Sequence, residues 1–256
     1  RKRDLMIYVE DTDSQERLRN AGWDGGLANT ESDYLYVVDS NVGWSKADRN
    51  IQRRIRYEVD LSNGTGARAT LTLSYINHSG PGSAGCEPQW LNRGTNYGQL
   101  KNACYWDFWR VYTPIGSRHL GHTPLELPQY SVSTEIDEGL PGEDTFGVSS
   151  SYNRSVMSGL FALGAGEQTH FNMVYDLAPD AVSRSAGKIE YELLVQKQPG
   201  SRGSEMSLEL IVPEGYQLSS SSISPAFTND SRIGFDFRID QDTIFTTVLT
   251  LNDESR

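Results

Sequence analysis

Residues 51–75 read IQRRIRYEVDLSNGTGARATLTLSY. Ile55, Tyr57, Val59 and Leu61 alternate with Arg54, Arg56, Glu58 and Asp60, the period of a strand with one buried and one solvated face. Asn63-Gly64-Thr65-Gly66 follows with residues that tolerate positive φ, as a turn requires. Ala69, Leu71, Leu73 and Tyr75 then return with period two against Arg68, Thr70, Thr72 and Ser74. The stretch reads as an antiparallel hairpin.

The same grammar recurs outward from it. Tyr105 to Thr113 (YWDFWRVYT) is a strand stopped by Pro114. Ile189 to Gln196 (IEYELLVQ), a turn at Pro199 to Gly203 and a returning strand at Met206 to Val212 (MSLELIV) repeat the pattern. Further strands are expected at Gln129 to Ile136, Val156 to Leu163, Gln168 to Leu177 and Ile244 to Leu251, with Gly164 to Glu167 turning between two of them. Short strands at this spacing are the all-β signature. Upstream the pattern differs. Leu5 to Val9 reads as a buried strand, Asp11 to Asp13 as a helix start, Ser14 to Ala21 as a helix stopped by Gly22, and Tyr34 to Asp39 as a strand. The expected organisation is mainly β. A small α/β lead-in occupies 1–49, and two immunoglobulin-like β-sandwich modules occupy 50–127 and 128–256.

With 256 residues and 26 aromatic side chains (13 Tyr, 8 Phe, 5 Trp), the chain can fill two thin cores. The formal charge of −11 opposes binding to a nucleic-acid backbone. Its one basic concentration, Arg49 to Arg56, reads as a solvated strand face and a contact for an acidic neighbour. No stretch approaches the roughly 18 apolar residues of a membrane helix. The opening Arg1-Lys2-Arg3 suggests a processed product or part of something longer, with any membrane segment outside this chain.

Cys86 and Cys104 are the only cysteines. Within one local connection they read as a disulfide, with two unpaired thiols as the alternative, and a zinc site would need more ligands nearby. The disulfide implies an oxidising compartment.

Motifs for catalysis are sparse. There is no G-x-S-x-G elbow and no Gly-rich phosphate loop with its Lys. His119 and His122 sit near one another without a third ligand or a helical spacing. Asp240 and Asp242 have the alternation of a calcium loop but lack its Gly and distant Glu, which leaves an ordinary turn as the other reading. Thirty-four acidic residues make some close carboxylate pair inevitable, so none identifies a glycosidase. No cofactor and no enzyme activity are expected.

The aromatic run offers more. Trp90, Tyr97, Trp106, Phe108, Trp109 and Tyr112, with Arg110, are candidates for a glycan-stacking or interface surface. In the strand at 105–113, Tyr105, Trp109 and Val111 share one face, while Trp106, Phe108, Arg110 and Tyr112 share the other. Both faces carry large rings, so one must be covered, either by the chain itself or by a partner.

Asp39-Ser40-Asn41-Val42-Gly43-Trp44-Ser45-Lys46-Ala47-Asp48, the strand at 71–77 and Arg110-Val111-Tyr112-Thr113-Pro114-Ile115-Gly116-Ser117 resemble the C-terminal region of a bacterial domain-of-unknown-function family (number four thousand and twelve). The resemblance is strongest over residues 5–117. It implies a membrane-anchored protein exposed at the cell surface and brings no chemistry with it. The expected role is a non-catalytic structural or interaction module of the cell envelope, which contacts itself or other envelope proteins. Two alternatives remain: a carbohydrate-binding module using the aromatic cluster, and an accessory domain of an envelope-polymer enzyme with its catalytic part upstream.

Overall fold

The computed structural model describes residues 5–43, 45–64, 66–80, 86, 96–126 and 142–252. In chain order the strands are β1 (Asp33–Val38), β2 (Ile51–Asp60), β3 (Arg68–Asn77), β4 (Tyr105–Pro114), β5 (Arg118–His122), β6 (Gly147–Ser151), β7 (Arg154–Leu163) and β8 (Gln168–Asp176). They continue with β9 (Val182–Ser185), β10 (Lys188–Gln196), β11 (Ser204–Ile211), β12 (Tyr216–Ser221), β13 (Phe227–Thr228), β14 (Arg232–Ile239) and β15 (Thr243–Leu251). Two α-helices, α1 (Thr12–Ala21) and α2 (Tyr97–Lys101), and 3-10 turns at Ala47–Asn50 and Pro179–Ala181 complete the elements among the described residues.

The 51–75 hairpin forms as its alternation requires. β2 and β3 pair antiparallel from Ile51↔Asn77 to Asp60↔Arg68, and Ile55, Tyr57, Val59, Ala69, Leu71, Leu73 and Tyr75 all point into the core. The chain is mainly β, arranged in two mixed sheets. One has the order β12-β15-β10-β1-β4-β7-β6, with β9 beside β10, and the other β13-β14-β11-β2-β3-β8-β5. Residues of both sheets, among them Leu35, Trp109, Leu193 and Phe245 from the first and Tyr57, Leu71, Phe171 and Phe235 from the second, share one buried cluster. Burying one such side chain fully contributes about 1.5–3 kcal/mol.

Strands β1 to β8 supply one side of both sheets and β9 to β15 the other. They meet at two parallel pairs, β1 with β10 and β2 with β11. The sequence expectation of two modules divided at 127/128 is corrected accordingly. The change of side falls between β8 and β9, and the two sides share continuous sheets and one core. Neither sheet is wholly antiparallel, as immunoglobulin sheets are.

Two further expectations change. Ile189 to Gln196 and Met206 to Val212 are not a hairpin: β10 lies in one sheet and β11 in the other, joined by a crossing at 197–203. Alternation identifies a half-buried strand but not which sheet receives it. The lead-in at 1–49 is not a separate α/β unit, because β1 is a central strand of the first sheet and Leu5 to Val9 is not a strand. The helix does form as its caps dictate. Asp11 accepts from the Ser14 amide, Gly22 closes it at φ 70°, and no residue of α1 is buried. The expected strand at Gln129 to Ile136 lies outside the described residues. No helix among the described residues is long and apolar enough to cross a membrane.

Candidate anion-binding cleft

The basic stripe of the sequence opens onto one end of the two sheets. Arg53 leaves the start of β2 pointing between them, and its side chain is only 9% exposed. A buried guanidinium needs its charge and donors matched, and here they are. Nη1 donates to Asp39 Oδ2 at 2.7 Å and to the Val37 carbonyl at 3.2 Å, while Nε donates to Ser204 Oγ at 3.0 Å. Burial works against this charge, but Asp39 and the surrounding phenols hold Arg53 above its ordinary pKa. Asp39 Oδ1 accepts from the Tyr75 hydroxyl at 2.8 Å, and the Gln198 amide clamps the Asp39 backbone at both its N–H and its carbonyl.

Behind this floor Asp107 is fully buried. Its Oδ1 accepts from the Ser40 amide at 2.8 Å, while Oδ2 has no hydrogen-bond partner among the described residues. Burial, then the neighbouring Asp39 charge, pushes its pKa well up. Both causes favour its neutral form over a second negative charge behind the floor.

Above the floor lies a cleft of about 340 Å³ lined by Asp39, Asp48, Arg49, Arg53, Tyr105 and the crossing at 198–204. A second hollow of about 370 Å³ continues it past His78, Glu205 and Arg238. Arg49 enters from the 3-10 turn Ala47–Asn50 and donates to the Tyr97 hydroxyl at 3.0 Å. Arg202 enters from the crossing, whose shape depends on Gly203. At φ 79° a Cβ there would lie 2.4 Å from the Ile239 carbonyl oxygen. Arg238 is paired with Glu205, whereas Arg49 and Arg202 face no carboxylate within ion-pair distance among the described residues. Two exposed, unmatched guanidiniums therefore share one cleft over a charge-balanced floor. That arrangement accepts a carboxylate, phosphate or sulfate group.

The sequence signalled half of this site through Arg49 to Arg56. It gave no sign of Arg202, which sits inside a Gly-rich segment read only as a turn. The crossing between sheets brings it opposite Arg49.

The aromatic candidates are placed differently. Trp109 faces the core, Trp106 lies under Gly43, and Tyr112 packs with Tyr36. All three rings are buried by the chain's own segments and present no stacking face. Phe108 is 37% exposed beside Arg110, with the guanidinium 5.7 Å from the ring centre. Tyr97, 56% exposed, is the one candidate ring among the described residues that touches a cleft residue, through its hydrogen bond from Arg49. Trp90 lies outside the described residues. Cys86 and Cys104 form the expected disulfide. Asp240 and Asp242 occupy the turn between β14 and β15, where Asp242 Oδ1 accepts from the Lys197 amide at 2.9 Å. Among the described residues no group of three or more His, Cys, Asp or Glu is gathered to hold a metal ion.

No family model matches the chain, and no curated protein matches it in sequence. Among solved structures it is similar to a Legionella pneumophila protein described as nutrient-binding, at a TM-score of 0.44 and 9% identity over 85% of this chain and 71% of that one. It is also similar to an M1 zinc metallopeptidase from Deinococcus radiodurans, at a TM-score of 0.37 and 9% identity over 79% of this chain and 42% of the peptidase. The chain thus spans less than half of the peptidase's length. At these scores the likenesses carry no activity across.

Proposed function

We propose that this chain is a non-catalytic interaction module of a bacterial cell-surface protein, and that it holds an acidic segment of an envelope partner in the Arg49/Arg202 cleft. The observation that carries the reading is the pair of unmatched guanidiniums converging over the Asp39–Arg53 floor in a chain of net charge −11. Isolated positive charge in an acidic protein is a local complement for an acidic surface, and it steers encounter while the rest of the molecule repels. The extracytoplasmic setting is supported by the Cys86–Cys104 disulfide and by the resemblance at 39–48 and 110–117. Partners of the right charge include other envelope proteins and the acidic surface of a second copy.

The test is binding of a labelled poly-glutamate peptide at low salt, alongside light scattering of the chain alone. We expect saturable binding that weakens with salt, is lost in Arg49→Ala/Arg202→Ala, and is unchanged in Arg17→Ala on the exposed helix. Equal binding by wild type and the double variant, or none by wild type, would overturn the assignment.

A further inference from the structure

The two histidines that the sequence left without a role meet at the edge of the second sheet. In a regular strand residues three apart point to opposite faces. Here β5 pairs with β8 through a register shift between His119 and Gly121, and such a bulge turns the two rings to one side. His119 Nε2 and His122 Nδ1 then stand 3.1 Å apart. Phe146 stacks on His122 with centroids 3.8 Å apart and lies 4.6 Å from His119, which fixes both rings.

The far side of His122 is also fixed. Its Nε2 lies 2.6 Å from Asp144 Oδ2, and Asp144 is anchored through Oδ1 by the amides of Leu125 at 3.0 Å and Phe146 at 3.1 Å. A carboxylate keeps the proton on the nitrogen it faces, so His122 turns a bare Nδ1 toward His119. That Nδ1 is met either by an N–H of neutral His119 or by a cation shared between the two rings. Two nitrogens about 2.0–2.1 Å from one zinc ion would lie about 2.9 Å apart at right angles and about 3.3 Å apart at tetrahedral positions. The observed separation lies between these values.

We propose that His119 and His122 bind a divalent transition-metal ion of the zinc type, with Asp144 as the carboxylate that orients His122. Imidazole nitrogens select zinc, copper or nickel over calcium and magnesium. With two protein ligands the remaining positions belong to solvent, or to a donor from whatever docks along the β5 edge. The site is independent of the arginine cleft.

The experiment is titration of the metal-free chain with Zn(II) alone, followed by calorimetry and by NMR of the imidazole resonances. Wild type is expected to take up one ion per chain and to gain thermal stability with zinc. His119→Ala and His122→Ala should each weaken uptake at least tenfold, and Asp144→Asn by about 10- to 100-fold. His78→Ala and His170→Ala should bind as wild type does. In wild type, zinc should shift the resonances of His119 and His122 but not those of His78 and His170, a readout that survives if a variant fails to fold. Undiminished uptake in the His119 and His122 variants, equal shifts at all four histidines, or no uptake by wild type would each overturn the site.

Discussion

The Tyr191 hydroxyl donates to Asp33 Oδ2 at 2.7 Å, across 158 positions of sequence and at the seam where the two sides of the molecule meet. Tyr57 donates to the same oxygen at 2.8 Å from the opposite sheet, and the Tyr175 hydroxyl lies 3.1 Å from that of Tyr57. One buried carboxyl thereby ties β1 and β10 of the first sheet to β2 and β8 of the second. Apolar packing alone would leave these phenols unsatisfied in the core.

Burial raises the Asp33 pKa above the ordinary 3.8, although the hydrogen bonds from Tyr191, Tyr57 and the Tyr34 amide oppose it. The folded value exceeds the unfolded one, so the folded state holds this proton more tightly. The contribution to stability is complete below the unfolded value and is lost as pH rises through the folded value. Asp107 acts in the same direction. Carboxylates held below their ordinary range by their partners, Asp144, Asp176 and Glu209 among them, contribute the opposite slope in acid. Urea denaturation at a series of pH values should therefore show wild type losing stability relative to Asp33→Asn or Asp107→Asn as pH rises through this window. Asp33→Ala, which orphans buried hydroxyls, should cost about 2–5 kcal/mol. A slope identical in all three proteins would refute the assignment.

Trp109 and Gly159 are cross-strand partners in β4 and β7, and the indole lies where a side chain at 159 would be. A Cβ on Gly159 would sit 2.8 Å from Trp109 Cζ2. Gly159→Ala should therefore destabilise by about 1–3 kcal/mol through overpacking. Near-UV circular dichroism should report the displaced indole.

The Cys86–Cys104 bond spans 18 positions. On the loop-entropy model, replacing both cysteines with serine should cost about 3 kcal/mol. Chemical denaturation of wild type with and without reductant, beside the double variant, would measure it. A midpoint that does not move would mean that the loop is held by other contacts.

Strands with strict alternation were legible because period two reports a half-buried sheet face directly. Ile51 to Tyr75, Tyr105 to Thr113 and Gln168 to Leu177 all stand close to where their residues placed them. The Asp11 and Gly22 caps were equally local and equally readable. Partnership between strands was not. Nothing in Met206 to Val212 distinguishes a strand that returns beside β10 from one that crosses to lie parallel to β2. Half of the candidate site failed to show for the same reason. Arg202 joins Arg49 only through that crossing, and the bulge that unites His119 with His122 leaves no composition signal beyond Gly121. The aromatic run drew attention by its bulk, yet Trp106 and Trp109 are spent on Gly43 and Gly159.

The cleft's floor and rim should respond oppositely to the same substitution. Arg53 is buried, and removing it strands Asp39, whose side chain is 16% exposed, without its counter-charge. Losing one partner of such a pair costs about 3–5 kcal/mol. Arg49 and Arg202 balance no carboxylate among the described residues, so trimming them should change stability by no more than about 0.5 kcal/mol. Arg53→Ala should thus lower the urea midpoint and weaken acidic-peptide binding only in step with the loss of folded protein. Arg49→Ala/Arg202→Ala should leave the midpoint in place and abolish binding. If the double variant also melted early, the two guanidiniums would be part of the fold's own charge balance, and the cleft would not be a place kept open for an anion.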